Sequence, residues 1–142
     1  MTAEVMTAQA TGNTNTSACL KARSFQLTLN EVDKYNNVLN YLNSLKSVDY
    51  IISCREIAPT TGHKHIHIYI HCKTTLRLSL KKCCGAHVEI CRGSPKQNID
   101  YIRKDGQIID EIGDEPTLFL RICLRIYELN DFIEFVFDII NG

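Results

Sequence analysis

Apolar and polar residues alternate or recur along this chain in ways that predict a series of short strands and helices. Phe25, Leu27 and Leu29 alternate with polar residues, which predicts a first strand, because successive side chains of a strand point to opposite faces of a sheet. After Asn30, apolar residues recur at helical spacing as far as Leu45, which predicts a helix of about four turns. The folded part of the chain is thus expected to begin with a strand and a helix.

The next part of the chain has the features of a β-hairpin. Residues 48–57 and 64–72 are rich in β-branched and apolar side chains, which favours two strands, and Pro59 to Gly62 favours a turn between them. Residues 74–83 predict a short helix, which Gly85 would end. We therefore expect the second and third strands to pair with each other before this helix.

The remaining elements include a helix with a well-marked start. Residues 86–91 predict a fourth strand, and Ser94 followed by Pro95 predicts a helix that continues to Lys104, because serine caps helices and proline suits the first helical position. Residues 107–112 predict a fifth, short strand. This order predicts an α+β fold, a ferredoxin-like or RRM-like antiparallel sheet of about five strands with helices packed on it.

The length of 142 residues suits a single folded domain with short extensions. Residues 1–22 are rich in Thr, Ala, Asn, Ser and Gln and predict a disordered leader, and residues 23–113 hold the predicted domain. Residues 114–142 form an apolar, acidic segment whose charges recur at spacings of three and four, which favours a helix over strands. Such a helix would either pack on the domain or provide an oligomerisation surface.

Several features predict an intracellular protein. The seven cysteines are odd in number and lack metal-finger spacing, and the amino terminus lacks the basic and apolar regions of a signal peptide. A structural zinc site built from cysteines is therefore the weaker alternative for any metal. No run of about 18 uncharged apolar residues occurs, so no membrane partner is expected.

The net charge of zero hides a strong partition along the chain. Residues 21–104 hold 14 basic and 6 acidic residues, a net charge of +8, whereas residues 105–142 hold two basic and nine acidic residues, a net charge of −7. Lysine and arginine near phosphates release condensed counterions, so the basic block favours a nucleic-acid partner. On charge alone, a solvated basic face without a partner is an equal alternative.

A row of histidines in the third predicted strand is the strongest chemical feature. In the segment from His63 to His71, isoleucines would face one side of the sheet and four imidazoles the other. His65 and His67 would bring their rings within reach of one divalent ion, and Glu56 on the neighbouring strand is the natural third ligand. Two imidazoles and a carboxylate suit Mn²⁺, Mg²⁺ with waters, or Zn²⁺.

The helix that starts at Ser94 carries a tyrosine and a lysine three residues apart. Tyr101 and Lys104 therefore lie on one face of this helix. A phenol beside an ammonium group and a metal-bound phosphate is a plausible nucleophile, because both cations favour the phenolate. Without the histidine row, the same pair would indicate only packing and solvation.

Three of these segments, in this order, resemble the motifs of the replication-initiator endonucleases of circular single-stranded DNA viruses of eukaryotes. Leu27-Thr28-Leu29-Asn30 is similar to the first motif, with leucine where an aromatic residue is usual. His65-Ile66-His67 matches the second motif, His-hydrophobic-His, with Glu56 at the position of the metal-binding acid. Tyr101 to Gly106 matches the third, Tyr-x-x-Lys followed by an acid and glycine. The resemblance covers residues 24 to about 113.

The resemblance implies an HUH endonuclease fold and the nicking and joining of single-stranded DNA at a viral origin through a covalent 5′-phosphotyrosine. It implies that Tyr101 and Lys104 are catalytic. It also implies that Glu56, His65 and His67 bind the divalent metal, Mn²⁺ or Mg²⁺, that the reaction requires.

The resemblance further implies contacts with DNA and with other proteins. Thr28 and Asn30 of the first motif, and the basic side chains Lys64 and Arg103, are expected to contact DNA. An origin stem-loop is the expected substrate, and a host or separate helicase and polymerase are expected, because no G-x-x-x-x-G-K-[ST] loop occurs in the chain. The family also implies the host nucleus. The alternative is a non-catalytic module, a relic of an initiator that binds origins or single strands.

Overall fold

Five antiparallel strands form one sheet within the part of the chain that the structure describes. The computed structural model describes residues 19–116 and 118–142, so the first 18 residues of the predicted leader lie outside the described residues. The strands lie in the order β4-β1-β3-β2-β5. Their bounds are Cys19–Leu29 for β1, Val48–Ile57 for β2, Lys64–Ser79 for β3, His87–Ile90 for β4 and Gln107–Gly113 for β5. The predicted α+β fold with an antiparallel sheet is confirmed.

Three α-helices accompany the sheet in the described ranges. A 3₁₀ turn at Val32–Lys34 precedes α1, which spans Tyr35–Ser44, while α2 spans Pro95–Asp105 and α3 spans Leu118–Asn141. α1 is shorter than predicted, because the 3₁₀ turn takes up the first residues after β1. None of these helices combines the length and the apolarity that crossing a membrane requires.

One face of the sheet forms the main core with α1. Ile66, Ile68 and Ile70 of β3 point to this face, as their spacing of two predicts, and Val38 and Leu42 of α1 belong to the same cluster. All five side chains are fully buried. Burying each such aliphatic side chain contributes about 1.5–3 kcal/mol to the free energy of folding. This face of the sheet therefore stabilises the fold.

The opposite face carries a smaller core and the histidine row beside it. Tyr69 of β3 is buried beneath Ile99 and Ile102 of α2. Residues two apart on a strand share a face, so His65 and His67 lie on the same face as Tyr69. α2 therefore lies across the sheet next to the predicted metal ligands.

The third strand is much longer than predicted. The helix predicted for residues 74–83 is wrong, because β3 continues to Ser79 and only Lys81–Cys83 form a 3₁₀ turn. In this half of β3, the buried Leu78 lies opposite Leu20 of β1. The neighbouring strand thus decides the conformation of a segment whose local preference is ambiguous.

The start of the first strand also differs from the prediction. The sequence predicts a strand from Phe25 and a leader as far as residue 22, but β1 begins at Cys19. Residues 19–22 pair with the end of β3, so they belong to the sheet and not to a leader. A bulge between Ala22 and Ser24 shifts the register and separates the two halves of β1.

The carboxy-terminal segment is helical, as predicted. From Arg125 onward, every side chain of α3 is exposed except that of the half-buried Val136. The large apolar side chains among them are Ile126, Tyr127, Leu129, Phe132, Ile133, Phe135, Phe137, Ile139 and Ile140. In this part of α3, the domain does not cover the apolar surface.

Candidate metal centre and the tyrosine above it

The hairpin of β2 and β3 brings the three predicted metal ligands together. Glu56 lies directly opposite His65 in the register of the two strands, and His67 follows on the same face. The Nε2 atoms of His65 and His67 lie 3.1 Å and 2.8 Å from the same Glu56 oxygen, Oε2. One ligand atom from each of these residues, which we call the triad, lies within 4.8 Å of the other two. The triad is thus a convergent set of nitrogen and oxygen donors that could hold a divalent cation.

The outer histidines of the row do not join the triad. His71 is buried, and its Nδ1 atom lies 2.7 Å from Oδ1 of Asp49. His63 precedes β3 and is exposed. Among the described residues, only the two histidines nearest Glu56 meet the geometry of a three-ligand site.

Thr28 of β1 orients the ring of His67. Thr28 lies opposite His67 in the strand register, and its Oγ1 atom is 3.2 Å from Nδ1 of the ring. Because the hydroxyl engages Nδ1, the other ring nitrogen is left to face Glu56 and would be available to a cation held by the triad. The sequence predicts Thr28 only as a DNA contact, and its contact with His67 emerges from the pairing of β1 with β3.

The surroundings of His67 favour its neutral, metal-binding form. The side chain is 13% exposed, and burial, followed by the neighbouring His65, lowers the pKa of His67 below its usual value, although Glu56 opposes the shift. The two imidazole rings meet edge to face with centroids 4.8 Å apart. A neutral ring keeps the lone pair that a metal ligand needs, so the geometry and the electrostatics agree.

α2 begins where the sequence predicts and packs on the sheet through two isoleucines. The side chain of Ser94 accepts a hydrogen bond from the backbone of Gln97, whose side chain accepts one from the backbone of Ser94, and Pro95 stands at the start of the helix. Ile99 and Ile102 are fully buried against the sheet. This capping box and this apolar stripe determine where the helix starts and which side it buries.

Tyr101 projects from α2 above the triad. Its side chain is 57% exposed, and its ring centroid lies 6.4 Å from that of His67. Lys104, three residues later in the helix, is also exposed. A phosphate bound at the triad would therefore lie close to a solvent-accessible phenol and on the side of the helix that carries an ammonium group.

The end of α2 approaches the sheet so closely that only glycine fits at position 106. A Cβ atom on Gly106 would lie 2.5 Å from Sγ and 2.7 Å from Cβ of Cys54. Cys54 lies directly opposite His67 in the register of β2 and β3. The glycine of the third motif thus lets the helix that carries Tyr101 end against the strand beside the triad.

The other predicted DNA contacts lie in three different environments. Asn30 is exposed just after β1. Lys64 adjoins His65 in sequence, so its side chain points to the sheet face opposite the triad. Arg103 forms ion pairs with Glu111 and Glu115. The contacts of all three with DNA stay predictions.

Basic residues that the sequence does not single out lie on the triad face of the sheet. Lys21 of β1 and Arg77 of β3 lie directly opposite each other and are exposed, and Lys73 is exposed on the same side of β3. We call these three residues the basic strip. Like charges opposed on neighbouring strands destabilise a sheet, so an anionic partner would stabilise this pair. The alternation of Arg77 with Leu78 is the signal that could have identified the strip, had residues 74–83 been recognised as a strand.

An antiparallel α+β sheet that carries a Glu-His-His triad beneath an exposed tyrosine is the arrangement that the three motifs predict. Residues 22–105 match the family model described as "Putative viral replication protein". The chain therefore belongs to this family, the replication (Rep) proteins of circular single-stranded DNA viruses.

The chain is also similar to individual replication proteins of alphasatellites. It is 45% identical over 75 residues to "Para-Rep C2" of Milk vetch dwarf C2 alphasatellite and 43% identical over 75 residues to "Para-Rep C1" of Faba bean necrotic yellows C11 alphasatellite, each time with 51% of this chain and 26% of the relative aligned. It is 40% identical over 96 residues to "Para-Rep C2" of Subterranean clover stunt C2 alphasatellite, with 65% of this chain and 34% of the relative aligned. The chain thus spans about a quarter to a third of the length of these relatives.

Proposed function

We propose that this chain is an endodeoxyribonuclease and nucleotidyltransferase that nicks and joins single-stranded DNA at a viral origin and so starts rolling-circle replication. The observation that carries the proposal is the convergence of Glu56, His65 and His67 on one point beneath the exposed phenol of Tyr101. Membership of the Rep family supports the same conclusion.

The triad would bind Mn²⁺ or Mg²⁺. A single carboxylate and two imidazoles leave coordination positions open for a phosphate oxygen and waters, which suits a catalytic rather than a structural ion. When bound, the cation would act as a Lewis acid that polarises the scissile phosphate. Thr28 and Glu56 would hold the two histidine rings in place for it.

Tyr101 would be the nucleophile. Its phenolic oxygen attacks phosphorus and loses its proton, the bond from phosphorus to the 3′-oxygen breaks, and the 3′-oxygen takes up a proton and leaves as a hydroxyl. Lys104 would orient the phosphate or assist the proton transfer. The product is a 5′-phosphotyrosine, and attack by the 3′-hydroxyl of a completed strand reverses the reaction and joins the ends without ATP.

DNA would lie along the triad face of the sheet. Thr28 and Asn30 lie at the end of β1 beside the triad, and the basic strip lies farther along the same face. Such contacts with phosphates make the affinity sensitive to salt. On this path, Arg77 contributes more to DNA binding than Lys64, whose side chain points to the opposite face.

The proposed reaction would also involve partners. We propose that an origin stem-loop presents the scissile strand, that a separate or host helicase and polymerase continue replication in the host nucleus, and that the exposed apolar residues of α3 let the chain associate with itself. The alternative function is binding of origins or single strands without cleavage, which the basic strip alone would support.

Formation of a covalent adduct tests the nuclease directly. The chain is incubated with a labelled origin oligonucleotide and Mn²⁺, and the adduct is resolved on a denaturing gel. Tyr101→Phe should abolish the adduct, whereas Tyr127→Phe, which removes the hydroxyl of another exposed tyrosine, should leave it unchanged. Lack of an adduct with the wild-type chain, or an adduct that survives Tyr101→Phe, would exclude the assignment.

Metal binding separates the nuclease from the non-catalytic alternative. His65→Ala and Glu56→Gln should weaken Mn²⁺ binding, measured by calorimetry, and abolish the adduct while DNA binding in chelator is retained. If DNA binding persists but neither Mn²⁺ binding nor an adduct is observed in the wild-type chain, the non-catalytic module is the better description.

A further inference from the structure

Tyr101 and Arg103 lie on opposite flanks of α2. Two residues correspond to about 200° around a helix axis, and the fully buried Ile102 lies between them. Tyr101 faces β3, where its ring meets that of His67, whereas Arg103 faces β5. Both flanks belong to one helix and turn together about its axis, so contacts that fix the Arg103 flank also fix the orientation of the Tyr101 flank.

A group of polar contacts joins Arg103 to the edge of the sheet. Its guanidinium nitrogens lie 2.5 Å from Oε1 of Glu111 and 3.1 Å from Oε2 of Glu115. The hydroxyl of Tyr50 donates to the same Glu111 oxygen at 2.6 Å. Burial, and then this hydrogen bond, raise the pKa of Tyr50, so the phenol keeps the proton that it donates. The last turn of α2 is therefore held to β5 directly and to β2 through Glu111.

Gly113, the last residue of β5, lies two residues before Glu115, the second acidic partner of Arg103. Gly113 has a φ of +88°, and a Cβ atom at this position would lie 2.1 Å from the carbonyl oxygen of Asp49. Only glycine combines this backbone conformation with this close approach. The segment after β5 supplies the second carboxylate through Glu115.

We propose that Arg103 is a positioning residue, which through Glu111 and Glu115 holds α2 in the orientation that keeps the phenol of Tyr101 above the triad. The inference rests on the proposed function, in which Tyr101 is the nucleophile. A misplacement of about 1 Å can lower a rate by as much as about a hundredfold, so contacts on the far flank of the helix matter to the reaction.

The positioning role and a direct DNA contact predict different effects of removing the acidic partners. If Arg103 binds a phosphate, neutralising Glu115 releases the guanidinium and removes a negative charge, so DNA binds more tightly and cleavage does not slow. If Arg103 positions α2, the same change loosens the helix and slows cleavage. Asp114 offers a matched control, because Asp114→Asn removes the same charge one residue away from Glu115.

The experiment measures single-turnover adduct formation at saturating oligonucleotide, together with the DNA dissociation constant over a range of salt concentrations. Arg103→Gln and Glu111→Gln should lower the rate by about tenfold or more, while the salt dependence of DNA binding stays unchanged. Glu115→Gln should lower the rate of adduct formation less than these two changes. Arg103→Lys should retain part of the rate that Arg103→Gln loses, and Asp114→Asn should match the wild type. An unchanged rate in Arg103→Gln, or weaker binding with a salt slope reduced by about 1, would overturn the proposal.

A structural measurement keeps this inference separate from the proposed function. Nuclear Overhauser effects between the ring protons of Tyr101 and His67 should be present in the metal-free wild type and in Asp114→Asn, and should weaken in Arg103→Gln. If the wild type forms no adduct, the proposed function fails, but the ring contact still reports whether Arg103 positions Tyr101. If the ring contact is unaffected in Arg103→Gln, the positioning role is refuted whatever the catalytic result.

Discussion

At the scale of single residues, the missing side chain at position 106 governs how closely α2 approaches the sheet. Gly106→Ala should destabilise the protein by about 1–3 kcal/mol, because the added Cβ would lie 2.5 Å from Sγ of Cys54. α2 must then move away from the strand beside His67, so adduct formation should slow as well. Urea unfolding and the single-turnover rate measure the two effects, and wild-type values for both would contradict the close approach.

His67 links the stability of the metal-free protein to pH. Burial and the adjacent His65 lower the pKa of His67, so at mildly acidic pH the unfolded chain binds a proton more readily than the folded one. The stability that the neutral His67 contributes is fully present above the pKa of the unfolded chain, about 6.5. It is lost as the pH falls through the lower pKa of the folded protein. In urea unfolding with a chelator present, stability should therefore fall between about pH 7 and pH 5 more steeply in the wild type than in His67→Gln. Equal slopes in the two proteins would contradict this prediction.

At the scale of the elements, the first residues of β1 and the last residues of β3 support each other. Removing residues 1–22 deletes the four strand residues that pair with residues 76–79, whereas removing residues 1–18 leaves them in place. The longer truncation should be less stable than the shorter one by about 1–3 kcal/mol, because it loses ladder hydrogen bonds and exposes Leu78. Comparing the urea unfolding of the two truncated chains tests this directly. Equal stability would indicate that residues 19–22 contribute nothing to the fold, as the predicted leader implies.

The elements also show which parts of the fold and the site are readable from sequence. The triad could be predicted because a period of two and a hairpin register place Glu56 beside His65, and both features are local. The start of α2 could be predicted because Ser94 and Pro95 carry the signal themselves. The second half of β3 could not, because it depends on pairing with a strand more than 50 residues earlier in the chain. The ion pairs of Arg103 could not be predicted either, because they depend on how α2 packs beside β5 and the segment that follows it.

At the scale of the whole molecule, the zero net charge separates into a basic sheet region and an acidic end. Residues 21–104 are net +8 and include the basic strip, while residues 105–142 are net −7. Glu111 and Glu115 already neutralise Arg103 in the folded domain. The four acids of α3 are exposed beside large apolar side chains, so this helix adds both negative charge and exposed apolar surface to the molecule.

Removing residues 117–142 should therefore have two separable effects. Light scattering should show less self-association, because the exposed apolar side chains of α3 are lost. DNA binding should tighten at low salt and become equal to that of the full chain at high salt, because the deleted segment carries four acids and two bases.

A variant with all four acids replaced by their amides keeps the apolar surface, so it should tighten DNA binding while still associating; the four positions are Glu128, Asp131, Glu134 and Asp138. If the deletion changes neither the number of chains per particle nor the affinity for DNA, α3 has neither role. If the amide variant binds DNA no more tightly than the wild type, the charge of α3 does not oppose DNA binding.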